Sequence, residues 1–126
     1  MSSAAVYLTS DEAKIFTFKI DGNDMKHFWR HGAKHPGEGH HHSRGQSDTD
    51  KFLEEIAEYL MRGGAERWLV LGPGLAKTKF QSLMQAKHPG QAAKIIGVEA
   101  MDKASDGQIR DFAHKFFRRD SLYKGA

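Results

Sequence analysis

The sequence predicts an α/β fold: a mixed five-stranded sheet with helices on both of its faces. Two observations support this. First, five short segments are rich in β-branched, aromatic or other apolar residues, as in strands. Second, three segments with apolar residues at helical spacing lie before, between and after the last two of these strand segments. The chain has 126 residues, 39% hydrophobic and 28% charged, which suits one domain better than two. We therefore expect a single domain over residues 1–126 with the order βββ-α-β-α-β-α.

The first three strands are predicted at residues 5–8, 13–20 and 25–31. The first two are rich in strand-forming residues, and the polar link Thr9-Ser10-Asp11-Glu12 between them is typical of a hairpin. Asp21-Gly22-Asn23 is a second turn signal before the third segment. Because short turns join antiparallel neighbours, the domain is expected to open with three antiparallel strands.

A long segment without periodicity follows at residues 32–46. It contains four glycines and a proline, and loops of this length usually carry function. Six of the eight histidines of the chain fall between His27 and His42, whereas acidic residues are concentrated in residues 48–58. The sequence therefore predicts a long basic loop, rich in histidine and glycine, before an acidic helix.

Helices and strands alternate after this loop. Ser47-Asp48-Thr49-Asp50 has the composition of a helix start, and the apolar stripe that follows ends at Arg62-Gly63-Gly64. Residues 68–71 (WLVL) are apolar throughout, as expected for a central strand that is covered on both faces. Gly72-Pro73-Gly74 then turns the chain into a helix at residues 76–87.

The last two elements are a strand at residues 94–100 and a helix that begins with the capping box Ser105-x-x-Gln108. The apolar residues predicted to share one face of this helix are Ile109, Phe112, Ala113, Phe116 and Phe117. The complete order is ribonuclease H-like, with crossover helices joining the later strands. Such sheets serve unrelated functions, so the order alone assigns none.

Composition narrows the functional classes. The absence of cysteine excludes disulfides, cysteine-ligated zinc and thiol catalysis. No stretch approaches the ~18 apolar residues of a membrane helix, and the first residues do not resemble a signal peptide, so we expect a cytoplasmic protein without a membrane partner. The net charge of +3 and the pI of 9.2 suit a polyanionic partner but do not identify one.

Two motifs carry a resemblance to a known family. Arg44-Gly45-Gln46-Ser47 leads from the basic loop into a long helix, and residues 71–80 (LGPGLAKTKF) follow the predicted central strand. Together with the three-strand opening, they make nearly the whole chain resemble the central domain of eukaryotic and archaeal class-1 peptide-chain release factors and Pelota, including their small bacterial single-domain relatives. The resemblance implies a fold of the translational-machinery-component type.

In release factors, a Gly-Gly-Gln loop enters the ribosomal peptidyl transferase centre, where the glutamine helps position water against the ester between peptide and tRNA. The resemblance implies that Gln46, beside Gly45, has this role in a ribosome-associated peptidyl-tRNA hydrolase that acts in ribosome rescue. The implied partners are the ribosome and tRNA or ribosomal RNA, and positioning and electrostatics suffice for ester hydrolysis without a cofactor. RNA contacts are expected at Lys34, His40, His41, His42, Arg44, Lys77 and Lys79.

The sequence departs from the family pattern at Arg44, which replaces the first glycine of the motif. A non-glycine residue at a position that requires a positive φ would be strained by ~1–2 kcal/mol, which would impair hydrolysis. The flanking domains that read stop codons in the family are missing from these 126 residues, so we expect rescue or regulation rather than decoding. A non-catalytic ribosome-binding or RNA-binding module on the same fold is therefore an alternative.

A His-rich metal-binding or structural protein is the other alternative. His27 and His31 would be ~13 Å apart on one strand, too far to bind a single ion, and the cluster at His40, His41 and His42 lacks a Glu-x-x-His partner. We therefore expect no dedicated metal site. The spacing of residues 72–78 does not match a phosphate-binding loop, and the predicted strands at residues 6–8 and 68–71 lack the acids of a two-metal nuclease.

Overall fold

In a computed structural model, the chain is described at residues 2–19, 22–30 and 45–123, without the side chains of residues 45–48 and 121–123. The elements in chain order are β1 (Ser3–Leu8), β2 (Glu12–Lys19), β3 (Gly22–Trp29), α1 (Gly45–Gly63), β4 (Arg67–Gly72), α2 (Ala76–Lys87), α3 (Pro89–Ala92), β5 (Ile95–Ala100) and α4 (Asp106–Tyr123).

The strands form one mixed sheet in the order β3-β2-β1-β4-β5. The first three strands pair antiparallel, and β4 pairs parallel with both β1 and β5. The predicted fold class and strand directions are therefore confirmed. The apolar strand β4 is interior, as predicted, and lies one place from the middle, which β1 occupies.

Both faces of the sheet are covered, because residues that alternate along the interior strands pack against different helices. On one face, β1 and β4 pack against the apolar stripe of α1 and against α2, around the buried side chains of Trp68, Ile56 and Phe80. On the other face, Tyr7, Phe16 and the neighbouring apolar residues pack against α4. The second face is covered by fewer helical residues, which leaves part of the sheet beside α4 exposed.

The predicted apolar face of α4 is largely confirmed. Ile109, Ala113 and Phe117 are buried in the second core, and Phe116 packs at its margin. Phe112, however, is 37% exposed. The physical reason is that Phe112 shares with Phe116 the side of α4 that is directed toward the edge strand β5, where the sheet ends.

Helix α4 starts with the predicted capping box, whereas helix α1 starts earlier than predicted. The capping box of α4 is present: the Gln108 backbone N–H donates to Ser105 Oγ at 3.1 Å, and the Ser105 backbone N–H donates to Gln108 Oε1 at 2.9 Å. Helix α1 begins at Gly45, two residues before the predicted start at Ser47, and so includes Gln46.

Among the described residues, no helix is both long and apolar enough to cross a membrane.

Candidate nucleic-acid interface

The candidate site lies at the edge of the sheet where the parallel strands end. β1, β4 and β5 are mutually parallel, and β3 runs in the same direction because both β1 and β3 are antiparallel to β2. All four strands therefore have their carboxyl ends at one edge, which we call the carboxyl edge. In α/β sheets, ligands bind preferentially at such an edge.

The topology brings the two sequence motifs to this edge. α1 leads from the end of β3 to the start of β4, so the helix must run back along the sheet and begin near the carboxyl edge. α2 follows the end of β4 after a three-residue turn and begins at the same edge. The helix start with Gly45 and Gln46 and the helix start with Lys77 and Lys79 therefore belong to one end of the molecule.

The turn between β4 and α2 is well anchored. The Met101 backbone N–H donates to the Gly72 carbonyl at 3.0 Å, and Gly72 itself lies directly against the backbone of Leu8 in the neighbouring strand. Lys77 Nζ donates to the Gly74 carbonyl, which ties the lysine stem to the turn. This is the tight strand-to-helix turn that the glycines and proline predict.

The start of α2 is cationic. Its first turn contains no acidic residue, and Lys77 and Lys79 occupy positions where the helix dipole favours negative charge. Lys79 is exposed and Lys77 is half-buried. Within the described part of the chain, neither lysine forms an ion pair with a carboxylate. This arrangement is suited to an anion such as an RNA phosphate.

Of the other predicted site residues, two lie at the start of α1 and five lie outside the described residues. Gly45 and Gln46 lie in the first turn of α1, for which the backbone is described. The remaining predicted RNA contacts lie outside the described residues: Lys34, His40, His41, His42 and Arg44.

An ion pair and a buried hydroxyl surround the carboxyl end of β1. Lys14 Nζ donates to Asp106 Oδ1 at 2.8 Å, and this hydrogen bond raises the pKa of Lys14. Burial raises the pKa of Tyr7, and the negative charge of Asp102 adds to this effect. Both groups therefore keep their protons at neutral pH, so Lys14 is a fixed cation and Tyr7 a neutral hydroxyl.

His27 has a different role from the metal ligand considered above. Its Nε2 lies 2.6 Å from Glu12 Oε1, and its ring stacks on Trp29 with centroids 4.6 Å apart and planes at 24°. No cluster of three or more potential metal ligands occurs in the described ranges. Trp29 was not among the predicted site residues, although the alternation of Met25, His27 and Trp29 indicates one shared face of a strand.

No protein-family model matches the chain, and no curated protein is significantly similar to it in sequence. Solved structures with a similar fold include Archaeoglobus fulgidus Pelota, with a TM-score of 0.61 at 14% identity over 90% of this chain and 31% of that chain. They also include the Thermoplasma acidophilum Pelota protein, with a TM-score of 0.62 at 18% identity over 89% of this chain and 31% of that chain.

An archaeal translation termination factor, aRF1, has a TM-score of 0.53 at 17% identity over 98% of this chain and 41% of that chain. The chain thus spans between 31% and 41% of the length of these three proteins. At this level of identity, the similarity is one of fold: the chain has the fold of a domain that occurs in Pelota and in an archaeal termination factor.

Proposed function

We propose that this protein is a cytoplasmic, ribosome-associated translation factor that hydrolyses the peptidyl-tRNA ester during rescue of stalled ribosomes. The observation that carries the proposal is a Gly45-Gln46 helix start on a fold shared with Pelota and a termination factor. In this proposal, residues 1–126 act as one domain, and the basic segment at residues 32–46, whose last two residues begin α1, approaches the peptidyl-tRNA.

The chemistry requires little from the protein. The oxygen of a water molecule attacks the ester carbonyl carbon, the bond to the ribose oxygen of tRNA breaks, and that oxygen takes up a proton. The Gln46 amide can hold the water in line, while backbone N–H groups stabilise the negative charge on the carbonyl oxygen. Gly45 lets the backbone approach the RNA closely because it has no Cβ. No cofactor is required.

Cationic residues provide the affinity for RNA in this proposal. Lys77 and Lys79 contact phosphates from the carboxyl edge, and the loop residues Lys34, Arg44, His40, His41 and His42 contact phosphates near the peptidyl-tRNA. Each neutralised phosphate releases counterions, so binding should weaken steeply with salt. The partners are therefore the ribosome and the RNA at its peptidyl transferase centre.

Peptide release from purified stalled ribosomes tests the proposal. We expect Gln46→Ala to reduce the release rate by about 100-fold or more, the scale for loss of one positioning or oxyanion group. Gln85→Ala is the matched control, because Gln85 is an exposed glutamine on α2. Release by Gln46→Ala at the wild-type rate would remove Gln46 from the mechanism.

Arg44 favours a second candidate function, a non-catalytic ribosome-binding module on the same fold. Arg44 stands where the release-factor motif has its first glycine. For such a module, neither the wild type nor Arg44→Gly releases peptide, yet both sediment with ribosomes. For a hydrolase limited by this position, Arg44→Gly should release peptide faster than the wild type. Co-sedimentation with ribosomes in the presence and absence of a chelator tests the third candidate, a His-rich metal-binding protein. Of the three candidates, only this one predicts that the chelator changes ribosome association.

A further inference from the structure

We propose a second RNA-binding surface, which we call the β3 shelf, on the face of the sheet that α4 covers in part. It consists of Met25, His27 and Trp29 on β3 and of a row of basic residues along α4, Arg110, His114 and Arg118. We infer that it binds unpaired RNA bases. The inference rests on the proposed RNA-facing function and specifies a form of RNA and a surface for it.

The strand register places the shelf beside α4. Residues directly opposite each other on neighbouring strands share one face, so three rows cross from β3 through β2 to α4. In the first row, His27 lies opposite Lys14, which forms an ion pair of 2.8 Å with Asp106. In the second row, Met25 lies opposite Phe16, whose ring centroid is 5.3 Å from the guanidinium of Arg110. In the third row, Asn23 lies opposite Phe18, whose ring centroid is 4.5 Å from that of His114.

α4 covers β2 but leaves β3 open to solvent on this face. Phe16 is fully buried, whereas Met25 is 38% and Trp29 40% exposed. From Met25 to Trp29 the strand part of the shelf is ~13 Å long at ~3.3 Å per residue, and α4 rises ~12 Å from Arg110 to Arg118 at ~1.5 Å per residue. The exposed strand and the basic side of α4, which we call the wall (Arg110, His114 and Arg118), therefore run beside each other over a similar length.

Trp29 is held in place by its neighbours. The Glu12 carboxylate fixes the His27 imidazole at 2.6 Å, and the imidazole stacks on the indole of Trp29. An aromatic side chain that is already ordered loses little conformational entropy when a ligand binds to it. Exposed aromatic rings on a sheet are the usual stacking partners of unpaired bases in RNA-binding proteins.

The wall supplies charge that complements a phosphate backbone. Arg110, His114 and Arg118 are spaced four residues apart and therefore lie on one side of α4. In the described ranges, none of the three forms an ion pair with a carboxylate. On this face of the sheet, Glu12 is paired with His27 and Asp106 with Lys14, whereas Asp24 of β3 lies on the opposite face. Arg110 lies in the row of Met25 and His114 in the row of Asn23, so guanidinium charge lies along the shelf and favours single-stranded RNA over an apolar partner.

Tryptophan fluorescence tests the stacking directly. The chain has two tryptophans, and Trp68 is fully buried whereas Trp29 is exposed. A short single-stranded oligouridine RNA should quench the fluorescence of Trp29, and Trp29→Phe should abolish the response. Trp29→Ala should raise the Kd about tenfold. The matched control is Phe112→Ala, because Phe112 is an aromatic residue of similar exposure, 37%, on the other side of α4.

A pair of single charge substitutions tests the wall. Arg118→Gln should weaken binding of the oligouridine and lower the slope of log K against log salt by roughly one. Lys51→Gln removes one exposed charge from α1 on the opposite face of the sheet and should have little effect. Equal losses for the two variants would mean that only the total charge of the protein matters, and would overturn the proposal.

Other results would also overturn it: no quenching at saturating RNA, equal affinity for duplex and single-stranded RNA, or a dimer in sedimentation that Trp29→Ala dissociates. The Gln46→Ala variant should bind the oligouridine as the wild type does. Because the oligouridine-binding assay uses no ribosomes, its result does not depend on whether the protein releases peptide. Conversely, a failure of the shelf leaves the release assay unaffected.

Discussion

At the scale of single residues, the carboxyl edge depends on a close approach between two strands. Gly72 ends β4, and a Cβ at this position would overlap the backbone carbonyl oxygen of Leu8 in β1. A backbone atom in a sheet cannot move aside as the end of a flexible side chain can. The glycine is therefore required by the packing of two strands, and the turn that leads into α2 depends on it.

We predict that Gly72→Ala lowers the free energy of unfolding by about 1–3 kcal/mol, because the added methyl group forces the strands apart. Urea denaturation measures this change. Gly74→Ala is the control, since a Cβ at Gly74 has no neighbour within 4 Å, and its effect should stay within about 0.5 kcal/mol. If both variants unfold at the same urea concentration, the close approach has no energetic consequence.

At the scale of elements, an ionic link joins α1 to the end of α2. The two carboxylate oxygens of Glu54 lie 3.2 Å from His88 Nε2 and 3.2 Å from Lys87 Nζ. The hydrogen bond from His88 lowers the pKa of Glu54, and Lys87 lowers it further. The link joins the helix with Gln46 in its first turn to the helix with Lys77 in its first turn.

We predict that Glu54→Gln destabilises the protein at neutral pH and that this effect disappears in acid. A carboxylate with a lowered folded-state pKa stabilises the fold above its unfolded pKa, near 4.5, and loses that contribution as the pH falls through the lower folded value. Urea unfolding of both proteins at pH values above and below this window measures the difference. Glu55→Gln, which removes an exposed carboxylate from the same helix, is the matched control. A constant difference at all pH values would contradict the prediction.

At the scale of the whole molecule, charge is distributed unevenly over the two faces of the sheet. α1 carries the acidic residues Asp50, Glu54, Glu55 and Glu58, whereas α4 carries exposed arginines on the opposite face. The start of α2 adds two lysines at the carboxyl edge. A polyanion should therefore approach the carboxyl edge and the α4 face and avoid the exposed face of α1.

We predict that Lys77→Gln combined with Lys79→Gln weakens ribosome association and flattens its salt dependence. Loss of two phosphate contacts should reduce the slope of log K against log salt by up to about two. Co-sedimentation at several salt concentrations measures the slope. Lys51→Gln combined with Arg62→Gln removes two exposed charges from α1 and is the control. Equal behaviour of the two double variants would show that the carboxyl edge has no special role.

The sequence by itself determined the order and type of every element except the short helix α3, because the signals for them are local. The apolar run at residues 68–71 and the capping box of Ser105 and Gln108 each act within a few residues, and both were found as predicted. The start of α1 was less well defined, since several polar residues around Ser47 can begin a helix. The motif at Gly45 and Gln46 was visible in the sequence, and its chemical role remains a proposal.

Only the tertiary structure decided which surfaces remain open. The strand order places β1 in the middle of the sheet, although its small residues gave a weaker apolar signal than β4 did. The same order leaves β3 at an edge, where one helix cannot cover it, so Trp29 and Met25 stay exposed. It also brings the starts of α1 and α2 to one edge. These features arise from pairing between segments far apart in the chain, and local sequence patterns contain no information about such pairing.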